Sequence, residues 1–180
     1  RMTRSFRYAC TVSTFGACVI LAQILLFREL MGVSLGSEFA IGLIFAGWLA
    51  GVAAGSAAAG LWRSTHPVRA VHIFISLLVF SISVPAFLMI AHCLRTWAGF
   101  SQGEAVPFHT LVWLIPAGAM PPALFAGFCF ILLSAAGHAS ENEGQPPGLN
   151  WGRVYGLEAM GSLAGSLVFT FVLVFFFSPL

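Results

Sequence analysis

Few residues of this chain can do chemistry, and those few are acids, an amide and imidazoles scattered through an apolar background. Glu158, in YGLEAMGSLAGS, lies inside a long apolar run three residues before Gly161. A carboxylate at membrane depth is costly and turns toward protein or a cavity, so Glu158 is a candidate cation or proton site, or the ion-pair partner of Arg153. Gln23 sits deep in the first apolar run, where its amide can hydrogen-bond across helices or touch a substrate. Arg28 and Glu29 close that run; as neighbours in sequence they do not face each other on a helix. Glu38 opens the next run, where the helix dipole favours an acid. A cationic ligand could use Glu29 and Glu38 together. The candidate ligand-binding residues are therefore Gln23, Glu29, Glu38 and Glu158.

Catalytic chemistry finds no footing in the same residues. The chain has no Asp, so a Ser–His–Asp arrangement is impossible, and it has no G-x-S-x-G, H-E-x-x-H or Walker A pattern. The cysteines (Cys10, Cys18, Cys93, Cys129) form no C-x-x-C pair. The histidines invite a haem reading: His72 and His92 bracket the third apolar run, His109 begins the fourth, and His66 and His138 fall at run ends. Their places at the ends of spans fit interfacial side chains better than pockets within the bilayer. No catalytic residue, metal site or cofactor is expected, and a haem-bearing or structural membrane subunit stands only as a further alternative.

The elements that must position these residues are membrane helices. Hydrophobic residues make up 59% of the 180 positions and charged residues 8%, against about a quarter charged in soluble domains. The net charge of +2 is too small for a nucleic-acid partner, and no basic patch is interleaved with aromatics. A bilayer core takes about 20 apolar residues per helix. Five runs reach that length, at about 8–27, 39–62, 70–91, 110–136 and 154–177. The first could imitate a signal peptide, but Arg28-Glu29 stands where a small-residue cleavage site would be. The segment with Glu141, Asn142, Glu143, Pro146 and Pro147 reads as the one mobile loop.

Arginines give the orientation. With the N-terminus inside, Arg1, Arg4, Arg7, Arg63, Arg69 and Arg153 are cytoplasmic and only Arg28 and Arg95 lie outside, as the positive-inside bias requires. Trp62, Trp97 and Trp151 fall near run ends, as interfacial aromatics do. Gly47, Gly51 and Gly55 recur every fourth residue, as do Gly161 and Gly165. This spacing lines one helix face with hydrogen atoms and lets another backbone come close, which is how helices associate in lipid. Pro116, Pro121 and Pro122 should kink or break the fourth helix, and broken helices tend to line a cavity. The fold expected is an all-α polytopic membrane helix bundle of about five transmembrane helices, glycine-packed, with a cytoplasmic N-terminus. The chain forms a single transmembrane domain and reads as a piece of a longer protein.

Several of these stretches resemble the membrane region of spermidine synthase-like proteins. FGACVILAQILLFRELMGVSLGSEFAIGLIFAGWLAGVAAGS is similar to that family's first two helices through Gln23, Arg28, Glu29, Gly36, Glu38, Trp48, Leu49, Gly51 and Gly55. WLIPAGAMPPALFAG resembles its proline-rich fourth helix. GRVYGLEAMGSLAGSLVFTFVLV resembles its fifth through Gly152, Arg153, Tyr155, Glu158, Gly161 and Gly165. The resemblance implies a non-catalytic membrane domain ahead of a soluble aminopropyltransferase domain, either anchoring the enzyme or handling a cationic amine. The implied partners are the lipid bilayer, a downstream soluble domain or partner chain, and a polyamine or other cation. The implied location is a bacterial inner (plasma) membrane. The layout is also similar to half of a major facilitator transporter, although GLWRSTHPVR lacks the acidic residue of that signature. A transporter half or subunit is the alternative function.

Overall fold

The structure, a computed structural model, describes residues 2–101, 104, 106–140 and 147–173. They form five long α-helices: α1 (Met2–Val33), α2 (Glu38–Thr65), α3 (Ala70–Trp97), α4 (Phe108–Ser140) and α5 (Pro147–Val168), the last running into a π-helical turn, Phe169–Leu173. No strand occurs among the described residues. All five helices hold segments long and apolar enough to cross a membrane: Phe6–Val33, Glu38–Thr65, Ala70–Leu94, Phe108–Gly137 and Gly152–Val172. Their outward faces agree with that solvent. On α3 the exposed side chains include Phe74, Ile75, Leu78, Ile82 and Met89, a surface far too apolar for water.

The helices outrun the apolar segments that announce them. Arg28 and Glu29, expected to close the first span, lie inside α1, which continues to Val33. Pro147, expected in a loop, is instead the first residue of α5, where proline's missing N–H costs nothing and its fixed φ suits the helix. Glu141, Asn142, Glu143 and Pro146 lie outside the described residues, as does the fifth span beyond Leu173. α1 ends in a left-handed turn at Leu35 (φ 53°) and Gly36 (φ 77°), with the Gly36 N–H donating to the Met31 carbonyl at 3.0 Å. Ser37 then leads into α2.

The chain divides into two compact units, Gln23–Leu132 and Arg1–Ala22 with Leu133–Leu180. In the first, α2 and α4 meet along the glycine face of α2. A side chain on Gly47 would meet the Pro116 Cα at 3.0 Å, one on Gly51 would overlap the Met120 carbonyl, and one on Gly55 would overlap the Leu124 carbonyl. Those partners step by four along α4 as the glycines step by four along α2, so the two helices run parallel and in register. Contact is reciprocal: Gly127 abuts the Val52 carbonyl, and Ser56 Oγ donates to the Gly127 carbonyl at 3.4 Å. The cluster of Leu30, Ile44, Leu94, Leu111 and Ile115 closes this unit where α1 and α3 end and α2 and α4 begin.

The prolines of α4 do not break it. The helix is continuous through Pro116, Pro121 and Pro122. Each proline removes one ladder bond while the bonds around it persist, and packed neighbours hold such a helix together. Pro116 lies on the seam against Gly47, and Pro122 is fully buried.

The second unit repeats the construction with α1 and α5. A Cβ on Gly161 would overlap the Ser13 carbonyl, and one on Gly165 would come within 2.9 Å of the Ala17 Cα and carbonyl oxygen. Again the partners advance together by four, so α1 and α5 are parallel. Gly16 in turn abuts the Glu158 carbonyl. Ser13 Oγ donates to the Leu157 carbonyl (3.0 Å) and Ser162 Oγ to the Gly16 carbonyl (3.1 Å). Tyr8 adds a bond from α1 to α4, its hydroxyl donating to the Leu133 carbonyl at 2.9 Å.

These contacts set a stability contrast. Gly55→Ala and Gly161→Ala each force two backbones apart and should destabilise the protein by about 1–3 kcal/mol. Gly42→Ala and Gly156→Ala, at positions with nothing within 4 Å, should be neutral or stabilising by up to about 1 kcal/mol. Thermal unfolding in detergent micelles reads both, and equal responses from the two pairs would show that the seams do not limit packing.

Candidate functional site

The candidate ligand residues fall in different units. Gln23, Glu29 and Glu38 belong to the α2–α4 unit and Glu158 to the α1–α5 unit. α5 places the backbone of Glu158 in its seam: the Glu158 carbonyl lies against Gly16, and the carbonyl of Leu157 beside it accepts the Ser13 hydroxyl. The Glu158 side chain itself is half-buried. Among the described residues its carboxylate makes no hydrogen bond and no ion pair, the expected pairing with Arg153 included.

Glu29 has a partner that the sequence did not suggest. His92 near the end of α3 places Nδ1 3.2 Å from Glu29 Oε2 near the end of α1. His92 is 75% exposed and Glu29 36%, so this is a solvent-accessible contact. Glu38 is exposed in the first turn of α2 and forms no hydrogen bond or ion pair among the described residues. Gln23 is half-buried on α1, and its amide likewise has no hydrogen bond among them. No contact joins Glu29 to Glu38.

The remaining histidines are distributed by the ends of helices. His66 and His72, on either side of the α2–α3 turn, both engage Trp62: the His66 ring stacks on the indole with centroids 5.3 Å apart, and the His72 ring meets it edge-on at 4.9 Å. His109 is exposed in the first turn of α4. The side chain of His138 lies outside the described residues. Among the described residues no group of three or more His, Cys or acidic side chains could hold a metal ion.

Sequence reasoning missed the serines. Ser56 and Ser162 each follow a seam glycine and each donate to the opposing backbone. The repeated Gly-Ser doublets (Gly55-Ser56, Gly161-Ser162, Gly165-Ser166) were the available signal. Comparison with known proteins finds no matching family model, curated protein or solved structure.

The exposed Glu29–His92 contact should contribute little to stability. Replacing His92 by Ala should change the unfolding free energy by less than about 1 kcal/mol, the usual ceiling for an exposed pair. Denaturation of the variant in micelles tests this, and a larger loss would mean that the pair anchors α1 to α3.

Proposed function

We propose that this chain is a non-catalytic integral membrane domain of a spermidine synthase-like protein, lying in a bacterial plasma membrane with its N-terminus cytoplasmic and receiving a cationic amine. The observation that carries the reading is Glu158. A half-buried carboxylate on a membrane helix, in no ion pair among the described residues, is an electrostatic deficit that a cation from outside can fill. Polyamines are multiply positive and flexible, and a carboxylate at a helix–helix seam offers them a charge-assisted hydrogen bond. Separately, in the other unit, Glu38 is an exposed acidic group at the opening of α2 that an amine could meet, likewise in no ion pair among the described residues. The six-to-two division of arginines supports the orientation. The alternative, a transporter half or subunit, rests on the similarity of the layout to half of a major facilitator transporter.

Calorimetric titration of the purified protein with putrescine and spermidine tests the amine reading. Glu158→Gln keeps the shape and removes the charge, and should weaken binding roughly tenfold or more, the scale of a hydrogen bond to a charged group. Unchanged affinity in this variant, or no binding by the parent protein, would rule out Glu158 as an amine site.

A further inference from the structure

We propose that the α2–α3 turn is a binding site for the phosphate headgroup of an acidic phospholipid. The turn is short: α2 ends at Thr65, α3 begins at Ala70, and both helices are membrane-crossing in length and composition. His66–Arg69 is therefore held at the surface of the bilayer, at the depth of lipid phosphates.

The groups gathered there suit an anion. Arg63 and Arg69 flank the turn, both are exposed, and neither has an acidic partner among the described residues. No acidic residue stands anywhere between Glu38 and Glu104 in the sequence. The two histidines of this stretch are held in place. His66 stacks on Trp62, and its Nδ1 lies 2.7 Å from Thr65 Oγ1. His72 packs edge-on against the same indole, and its Nδ1 accepts the Arg69 backbone N–H at 3.2 Å. With Nδ1 accepting, the His72 proton resides on Nε2, which makes that nitrogen a donor. Trp62 is itself braced by Phe128 of α4, at 6.3 Å between ring centroids. The result is an aromatic platform at the turn, built on Trp62 and carrying one imidazole donor, with Arg63 and Arg69 on the same short stretch of chain. Guanidinium is the side chain best matched to phosphate, through paired N–H donors. A free phosphate offers the same oxygens, but only a lipid also brings acyl chains to the apolar residues beside the turn, Leu61 and Val71, both exposed.

This inference rests on the membrane-spanning reading and is independent of the amine. The test uses the whole chain reconstituted in vesicles of mixed phosphatidylglycerol and phosphatidylcholine. Lipid that remains bound after detergent extraction is then counted by native mass spectrometry. The parent protein should retain phosphatidylglycerol preferentially. Arg63→Gln with Arg69→Gln should lower that preference roughly thirtyfold, from about 1 kcal/mol for each of the two basic residues at an acidic surface. Arg63→Lys with Arg69→Lys should keep most of it, and Arg28→Gln, exposed on a different helix, should leave it unchanged. Equal retention of both lipids by the parent, or a preference that survives the double Gln variant, would overturn the proposal. Displacement of the lipid by millimolar inorganic phosphate would also overturn it, by showing a free-phosphate site. Protein washed from the vesicles by alkaline carbonate would instead refute membrane insertion, so the two failures are distinguishable.

Discussion

How near two helix backbones can come is the constraint on which this structure depends. Bringing apolar helices together in lipid releases no ordered water, so association must come from dispersion and from polar groups that the bilayer leaves unsatisfied. Both grow steeply as the separation falls. At Gly51, Gly55, Gly127, Gly16 and Gly161 a carbonyl of the facing helix occupies the space of an absent Cβ. Serine hydroxyls then reach across to carbonyls on the opposing helix. The glycines and serines act as one device, because a bulkier residue at either position would hold the hydroxyl out of range. Each compact unit has one such seam, and each seam joins parallel helices.

Polar residues are spent sparingly around these seams. Among the described residues the buried polar side chains are all serines: Ser34, Ser83 and Ser134. Ser34 and Ser83 return their hydroxyls to carbonyls one turn earlier in the same helix, which satisfies the group without calling on a partner. Among the described residues most charged side chains lie within two turns of a helix end, while Glu158 sits near the middle of α5. Nothing in the packing of α1 on α5 requires a carboxylate there. The contacts at that level are made by the backbone of Glu158 and by Ser13, Gly16 and Gly161.

Much of this architecture could be read from residue order. Apolar runs well beyond the span of a bilayer can form little except helices, because backbone groups in lipid must be satisfied within the segment. Their number and approximate places follow. The ends do not, since a helix continues into the interface as long as its ladder can be extended; hence α1 carries Arg28 and Glu29 within it, and α5 starts at Pro147. The four-residue glycine spacing identifies a face but names no partner. That α2 meets α4 and α1 meets α5 depends on contacts between residues far apart in the chain. The same distance hid the Glu29–His92 contact. The prolines of α4 do not break it, because a local rule about lost hydrogen bonds says nothing of the neighbours that keep the helix continuous through them.

The pairing of non-consecutive helices also imposes a timetable on biogenesis. As a nascent chain leaves the ribosome and enters the bilayer, α2 cannot close on α4 until α3 has crossed back. α1 must wait longest, for α5. Through that interval the Ser13 hydroxyl lacks its acceptor on α5 and the groove at Gly16 stays open to lipid. A hydroxyl can meanwhile bond back to its own helix, which makes serine a better occupant of α1 than a residue whose polar group needs a distant partner from the start. The first helix to be inserted is thus the last to be locked, and α5 is its key.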